Sequence, residues 1–149
     1  MKIAVIGAGA MGSIYASFLS KNNHEVLVID IWEEHLEAIK KDGLRVSGFS
    51  GDNIVKNINV SRNIEDAKGY ELFIIATKAS GVGPVASKLS KITNENSLIL
   101  TIQNGLGAGE RIAKYMPTNN ILLGVAQGFG AAMKGPGPVS YTHLRAHET

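Results

Sequence analysis

Two hydrophobic rhythms alternate along this chain. Ile3-Ala4-Val5-Ile6 and Val26-Leu27-Val28-Ile29 are short unbroken apolar runs, the pattern of strands buried on both faces. Between them Met11, Ile14, Tyr15, Phe18 and Leu19 fall at i, i+3, i+4, i+7 and i+8, one face of a helix that Ser20 to Asn23 close in polar residues. Trp32, Leu36 and Ile39 make a second stripe, with Glu33 and Glu34 in its first turn, Lys40 and Lys41 in its last, and Gly43 as its stop. Leu44 to Val46 and Ile54 to Val60 predict strands around a polar turn at Ser50 to Asn53. Leu72 to Ala76, Ser97 to Ile102 and Ile121 to Val125 predict three more. Val82, Val85, Leu89 and Ile92 are spaced for a helix, although Gly81 and Gly83 weaken its start, and Ile112, Tyr115 and Met116 for another ended by Pro117. This alternation predicts an α/β chain with a mostly parallel sheet covered on both faces. No internal repeat is visible.

The turn between the first strand and helix reads Gly7-Ala8-Gly9-Ala10-Met11-Gly12. Gly7 permits a tight turn, Gly9 removes the Cβ that would keep a pyrophosphate off the backbone, and Gly12 lets the helix lie close to the strands. Phosphates would then meet free amides at a helix start near Ala10 without any basic side chain. Asp30 ends the second strand about 20 residues on, where an acid that holds a ribose is expected. Strand, glycine turn, helix, strand and acid together predict a Rossmann-type, doubly wound dinucleotide-binding unit. The bland reading is a glycine-rich turn in some other α/β protein.

In such a sheet ligands bind beyond the carboxyl ends of the strands, so the polar residues there matter. Lys78 directly follows a buried strand; it is either a snorkelling surface lysine or a group facing the cofactor. Asn104 carries an amide suited to orienting a carbonyl or a ribose hydroxyl, and it is also a natural turn residue before Gly105.

Composition narrows the field. The 149 residues suffice for one well-cored domain, 44% hydrophobic and 19% charged, with formal net charge +2 and no cysteine. Disulfide frameworks and thiolate chemistry are excluded, and a reducing, cytoplasmic setting is expected. The positive charge is dispersed, which argues against nucleic acid. An uncharged run from Ile3 to Ser20 follows Lys2, as in a secretory signal, but glycines interrupt it and its stripe is amphipathic. No other stretch approaches the roughly 18 apolar residues of a membrane span, so no membrane partner is expected.

These residues resemble the ketopantoate reductase (2-dehydropantoate 2-reductase) family, with its D-2-hydroxyacid dehydrogenase relatives. The likeness covers Met1 to about Val139 and rests on Gly7 to Gly12, Thr77-Lys78, Asn104-Gly105-Leu106-Gly107 and Gly135-Pro136-Gly137. Asp30-Ile31-Trp32 with His35, Ile39, Gly43 and Leu44 looks like the branch with an acid after the second strand. The resemblance implies that Lys78 and Asn104 contact the nicotinamide end, that Asn104 also reaches the substrate, and that the Gly130 region lines the same cleft. It further implies hydride transfer from NADPH or NADH to the 2-keto carbon of a small 2-keto acid, ketopantoate on the route to pantothenate. A D-2-hydroxyacid dehydrogenase using NADH, or a non-catalytic nucleotide-sensing domain, would carry the same cradle. By the same resemblance the proton donor is a lysine of a helical second domain missing from this chain, leaving no catalytic residue here, and a homodimer is allowed for the full-length enzyme. Asp30 would accept from both ribose hydroxyls and repel a 2′-phosphate; with Ile31 and Trp32 where an arginine is usual, NADH is favoured over NADPH.

The expected dinucleotide-binding unit is residues 1–139. Ser140 to Thr149 resembles a translated sequencing-adapter scar and is expected to be a non-native tail. Its His143 and His147 are spaced i, i+4 beside Glu148, but no third ligand or rigid helix is evident, so no metal is expected. His24 reads as a loop residue and His35 as a helix-surface residue, neither with a Ser or Cys partner suggesting a triad.

Overall fold

The computed structural model describes residues 1–48, 51–103, 107–126 and 129–143. The first apolar run is β1 (Lys2–Ile6), the first stripe α1 (Ala10–Lys21), the second run β2 (Glu25–Ile29) and the second stripe α2 (Glu33–Asp42). The chain continues through β3 (Leu44–Gly48), β4 (Asn53–Val55), β5 (Ile58–Ser61) and β6 (Leu72–Ile75). It then runs through α3 (Val82–Leu89), β7 (Leu98–Thr101), α4 (Ala108–Ala113), β8 (Ile121–Leu123), β9 (Phe129–Met133) and β10 (Val139–His143).

Six strands form one sheet in the order β5-β2-β1-β6-β7-β8. Every neighbouring pair in it is parallel. Counted along the chain, its first strand sits between its second and fourth, the doubly wound arrangement whose direction reverses at the β1/β6 boundary. Period-two alternation divides the core. Ile3, Val5, Val26 and Val28 face α1, α2 and the second sheet, while Ala4, Ile6, Leu27, Ile29, Phe73 and Ile75 face α3 and α4.

The second sheet has the order β4-β3-β10-β9. It corrects one expectation. Ile54 to Val60 is not one strand: Asn53–Val55 pairs antiparallel with β3, and Ile58–Ser61 pairs parallel with β2 in the main sheet. The break falls at exposed Lys56 and Asn57, where the Asn57 side chain accepts a hydrogen bond from Ser20 Oγ at 3.0 Å. Two shorter corrections concern helices. α4 ends at Ala113, before Tyr115 and Met116, because the following residues tighten into a turn in which the Tyr115 amide donates to Ile112 O at 3.0 Å. α3 likewise stops before Ile92, and a 3-10 turn at Ala79–Gly81 leads into it.

β10 starts at Val139, the last residue of the expected unit, and carries the second sheet on to His143. Among the described residues no helix is long and apolar enough to cross a membrane.

Candidate functional site

The glycine turn is built against the end of β6. Gly7 has φ +103°, and a Cβ there would lie 2.7 Å from Ala76 C and 2.8 Å from Thr77 N, so only glycine allows this approach. A Cβ on Gly12 would overlap the Gly7 carbonyl oxygen, which is why α1 can start so close beneath the turn. Gly9 differs: its Cβ would meet nothing within 4 Å. Gly9 is the N-cap of α1 without a side-chain cap, and no acidic residue occupies the first turn that Ala10 and Met11 open. Free amides and the positive end of the helix dipole therefore face unfilled space, an arrangement that suits a phosphate.

Two clefts flank this turn at the carboxyl edge of the sheet, and Thr77 borders both. The first, about 360 Å³, is lined by Gly7, Asp30, Ile31, Arg62, Val85 and Lys88 among others. Asp30 is fixed at its wall: Oδ2 accepts from the Ala8 amide at 2.5 Å and Oδ1 from the Trp32 amide at 2.9 Å. Arg62 follows β5 as Asp30 follows β2, and its Nη1 lies 3.7 Å from Glu33 Oε1 in an exposed pair worth little energy. Arg62 and Lys88 were not singled out from the sequence; a basic residue directly after an edge strand was the available signal for Arg62.

The second cleft, about 290 Å³, is lined by Met11, Thr77, Lys78, Ala79, Ile102 and Gln103 among others. Lys78 is exposed and caps the 3-10 turn after β6. Gln103 is a residue the sequence did not flag. Its Nε2 donates to Ile75 O at 2.8 Å and Thr77 O at 3.0 Å, and its Oε1 accepts from Thr101 Oγ1, so it straps the ends of β6 and β7 together beside Lys78. Asn104 lies outside the described residues. Gly130 lies in β9 opposite Thr142 of β10.

His35 is not a helix-surface residue. It is fully buried, its Nε2 is 3.2 Å from Ser13 Oγ, its Nδ1 accepts from the Gly137 amide at 2.8 Å, and its ring stacks on Trp32 with centroids 4.9 Å apart. The turn between β9 and β10 covers this side of α2, where a Cβ on Gly137 would reach within 3.2 Å of Ala38 Cβ. Burial holds the imidazole pKa below its usual value, against the smaller raising effects of Asp30 and the Ala8 backbone. His24 stays in the loop before β2, with Nδ1 3.3 Å from the chain's amino terminus. Among the described residues no cluster of three or more His, Cys, Asp or Glu could hold a metal. The His143 side chain and His147 lie outside that description.

Comparison with known proteins gives this geometry a lineage. Residues 3–148 match the family model for ketopantoate reductase PanE/ApbA. The 2-dehydropantoate 2-reductase of Lactococcus lactis subsp. lactis is 34% identical over 139 residues, covering 92% of this chain and 44% of the relative. A crystal structure of 2-dehydropantoate 2-reductase from Geobacter metallireducens superposes with TM-score 0.87 at 29% identity, over 98% of this chain and 47% of that one. D-mandelate dehydrogenase, solved with NADH and anilino(oxo)acetate, superposes with TM-score 0.83 at 33% identity, over 94% of this chain and 45% of that one. The chain thus spans about half the length of the curated relatives it matches. By the family match and these identities, the chain belongs to the ketopantoate reductase PanE/ApbA family.

Proposed function

We propose that this chain is the dinucleotide-binding portion of a reductase that moves hydride from a nicotinamide cofactor to the 2-keto carbon of a small 2-keto acid, with ketopantoate the first candidate. The observation that carries the proposal is the convergence, at the β1/β6 switch, of the uncapped α1 start with Asp30 on one side and Lys78 with Gln103 on the other. An elongated cofactor fits this layout: pyrophosphate over Gly9, ribose against Asp30, and nicotinamide toward the Lys78 cleft. When bound, the cofactor supplies the hydride; the chain's own groups hold and orient it. The names of the relatives support the substrate class, since curated relatives are 2-dehydropantoate 2-reductases and one structural neighbour is a D-mandelate dehydrogenase. Lys78 and Asn104 are assigned to the nicotinamide end, Asn104 also to the substrate, and Gly130 to the same cleft.

NADH is the proposed cofactor. The Asp30 carboxylate, pinned by two amides, would stand against a 2′-phosphate at close range, while Arg62 across the same cleft already faces Glu33. Titration of the chain with both cofactors tests this. NADH is expected to bind at least about tenfold more tightly than NADPH, a difference of about 1.4 kcal/mol. Equal or tighter NADPH binding would remove the assignment to Asp30 and point to Arg62. Ketopantoate turnover by these residues alone is expected to be undetectable, because the proton donor is assigned to a second domain; measurable reduction would overturn that division of labour.

A further inference from the structure

Behind the glycine turn, away from both clefts, three hydrogen bonds run in one direction. The Gly137 amide donates to His35 Nδ1 at 2.8 Å, His35 Nε2 lies 3.2 Å from Ser13 Oγ, and Ser13 Oγ donates to Ala8 O at 3.1 Å. Because Nδ1 accepts from an amide, the proton of the neutral ring is assigned to Nε2, which donates to Ser13. Each polar group in the relay then has a partner. That matters where the ring and the hydroxyl are both buried, His35 at 0% and Ser13 at 1% exposure.

The relay ends on the residue that forms the cradle. The Ala8 amide is held by Asp30 Oδ2 at 2.5 Å and its carbonyl by Ser13, so the backbone is clamped on both sides of one Cα. A trans peptide is planar, with its C=O and N–H pointing in opposite directions. Turning the Ala8 carbonyl inward to Ser13 therefore aims the next amide, that of Gly9, outward. Gly9 itself is exposed, and the Cβ it lacks would meet nothing within 4 Å, so the surface beside that amide is open to a ligand.

We infer that His35 is a positioning residue for the dinucleotide: through Ser13 it fixes the Ala8–Gly9 peptide in the orientation that presents the Gly9 amide to the cofactor's phosphates. The inference rests on the reading of Gly7 to Gly12 as a cofactor cradle. It gives the second sheet a part in binding, because the turn that carries Gly137 holds the far side of the ring. The conservative substitutions separate this role from plain core filling. Glutamine can place an amide near the position of Nε2 and keep the Ser13 bond; asparagine reaches only the position of Nδ1 and keeps the Gly137 bond.

The test is NADH titration by fluorescence, with urea unfolding measured in parallel, on wild type, His35→Gln, His35→Asn and Ser13→Ala. His35→Gln is expected to bind NADH within about threefold of wild type and His35→Asn about tenfold more weakly, although both lose one bond of the relay. Ser13→Ala, which removes one oxygen and enlarges no side chain, is expected to weaken NADH binding about three- to tenfold and decides the matter if the His35 variants fold poorly. Equal affinities for the Gln and Asn variants, or an unchanged Ser13→Ala, would overturn the inference while leaving the cradle intact. A folded wild type that binds no NADH would instead overturn the cradle itself, and the inference with it.

Discussion

At the residue scale the three motif glycines are distinguished by what a methyl group would strike. Gly12→Ala drives a Cβ into the Gly7 carbonyl, so it is expected to lower stability by about 1–3 kcal/mol in urea unfolding, as overpacking does. Gly9→Ala meets nothing and is expected to cost under about 1 kcal/mol of stability, the scale of losing a preferred cap residue. It nevertheless places a methyl where phosphate would approach, so NADH affinity is expected to fall more than about tenfold. Loss of affinity in step with stability in both variants would contradict this separation. His35 adds a pH dependence. Burial lowers its folded pKa below the ordinary 6.5, so as pH falls the unfolded chain takes up the proton first. The stability tied to a neutral ring is complete above about pH 6.5 and declines as pH drops through the lowered folded value. Asp30, the charged group acting on the ring, opposes the shift, and Ser13 and the Gly137 amide are neutral. The urea midpoint is expected to fall more for wild type than for His35→Gln between about pH 7 and about pH 5.5; identical slopes would remove His35 as the source.

At the scale of elements, the strap between β6 and β7 sets the shape of the second cleft. Gln103→Leu leaves the Ile75 and Thr77 carbonyls and the Thr101 hydroxyl without its amide, and is expected to cost about 1–3 kcal/mol in unfolding measurements. A variant as stable as wild type would show that water replaces the amide without loss. Which elements were legible in the sequence follows from the range of the forces that define them. β1, α1, β2 and α2 were read closely because their apolar spacing, charges and glycine stop are local. The Ile54 to Val60 run was misread because both halves are apolar and only pairing across two sheets shows that β4 and β5 part at Lys56 and Asn57. Asp30 and the glycines were legible by spacing, whereas Gln103 looked like one more polar residue after a strand. His35 was hidden more thoroughly, since the amide that buries it lies 102 residues away in the chain. A charge-capable residue beside a helical stripe reads as surface until a distant turn covers it.

At the scale of the whole molecule, β8 closes one edge of the main sheet, and apolar groups on it and just past its end stand in water, with Leu123 72% and Val125 75% exposed. An uncovered apolar edge invites association. Val125→Lys is expected to reduce concentration-dependent self-association in sedimentation velocity while changing stability by less than about 0.5 kcal/mol; unchanged association would place the sticky surface elsewhere. The larger architecture, a doubly wound sheet with a second sheet braced on α1, brings Gly9, Asp30, Lys78 and Gln103 to one edge from four separate stretches of chain. The single tryptophan, Trp32, stands two residues past Asp30 and against His35, next to the proposed ribose position. Following Trp32 emission during an NADH titration tests the central claim most directly. Saturable quenching that is abolished or shifted more than about tenfold by Gly9→Ala is the predicted result. A folded chain whose Trp32 emission and NADH fluorescence show no saturable change would contradict the account.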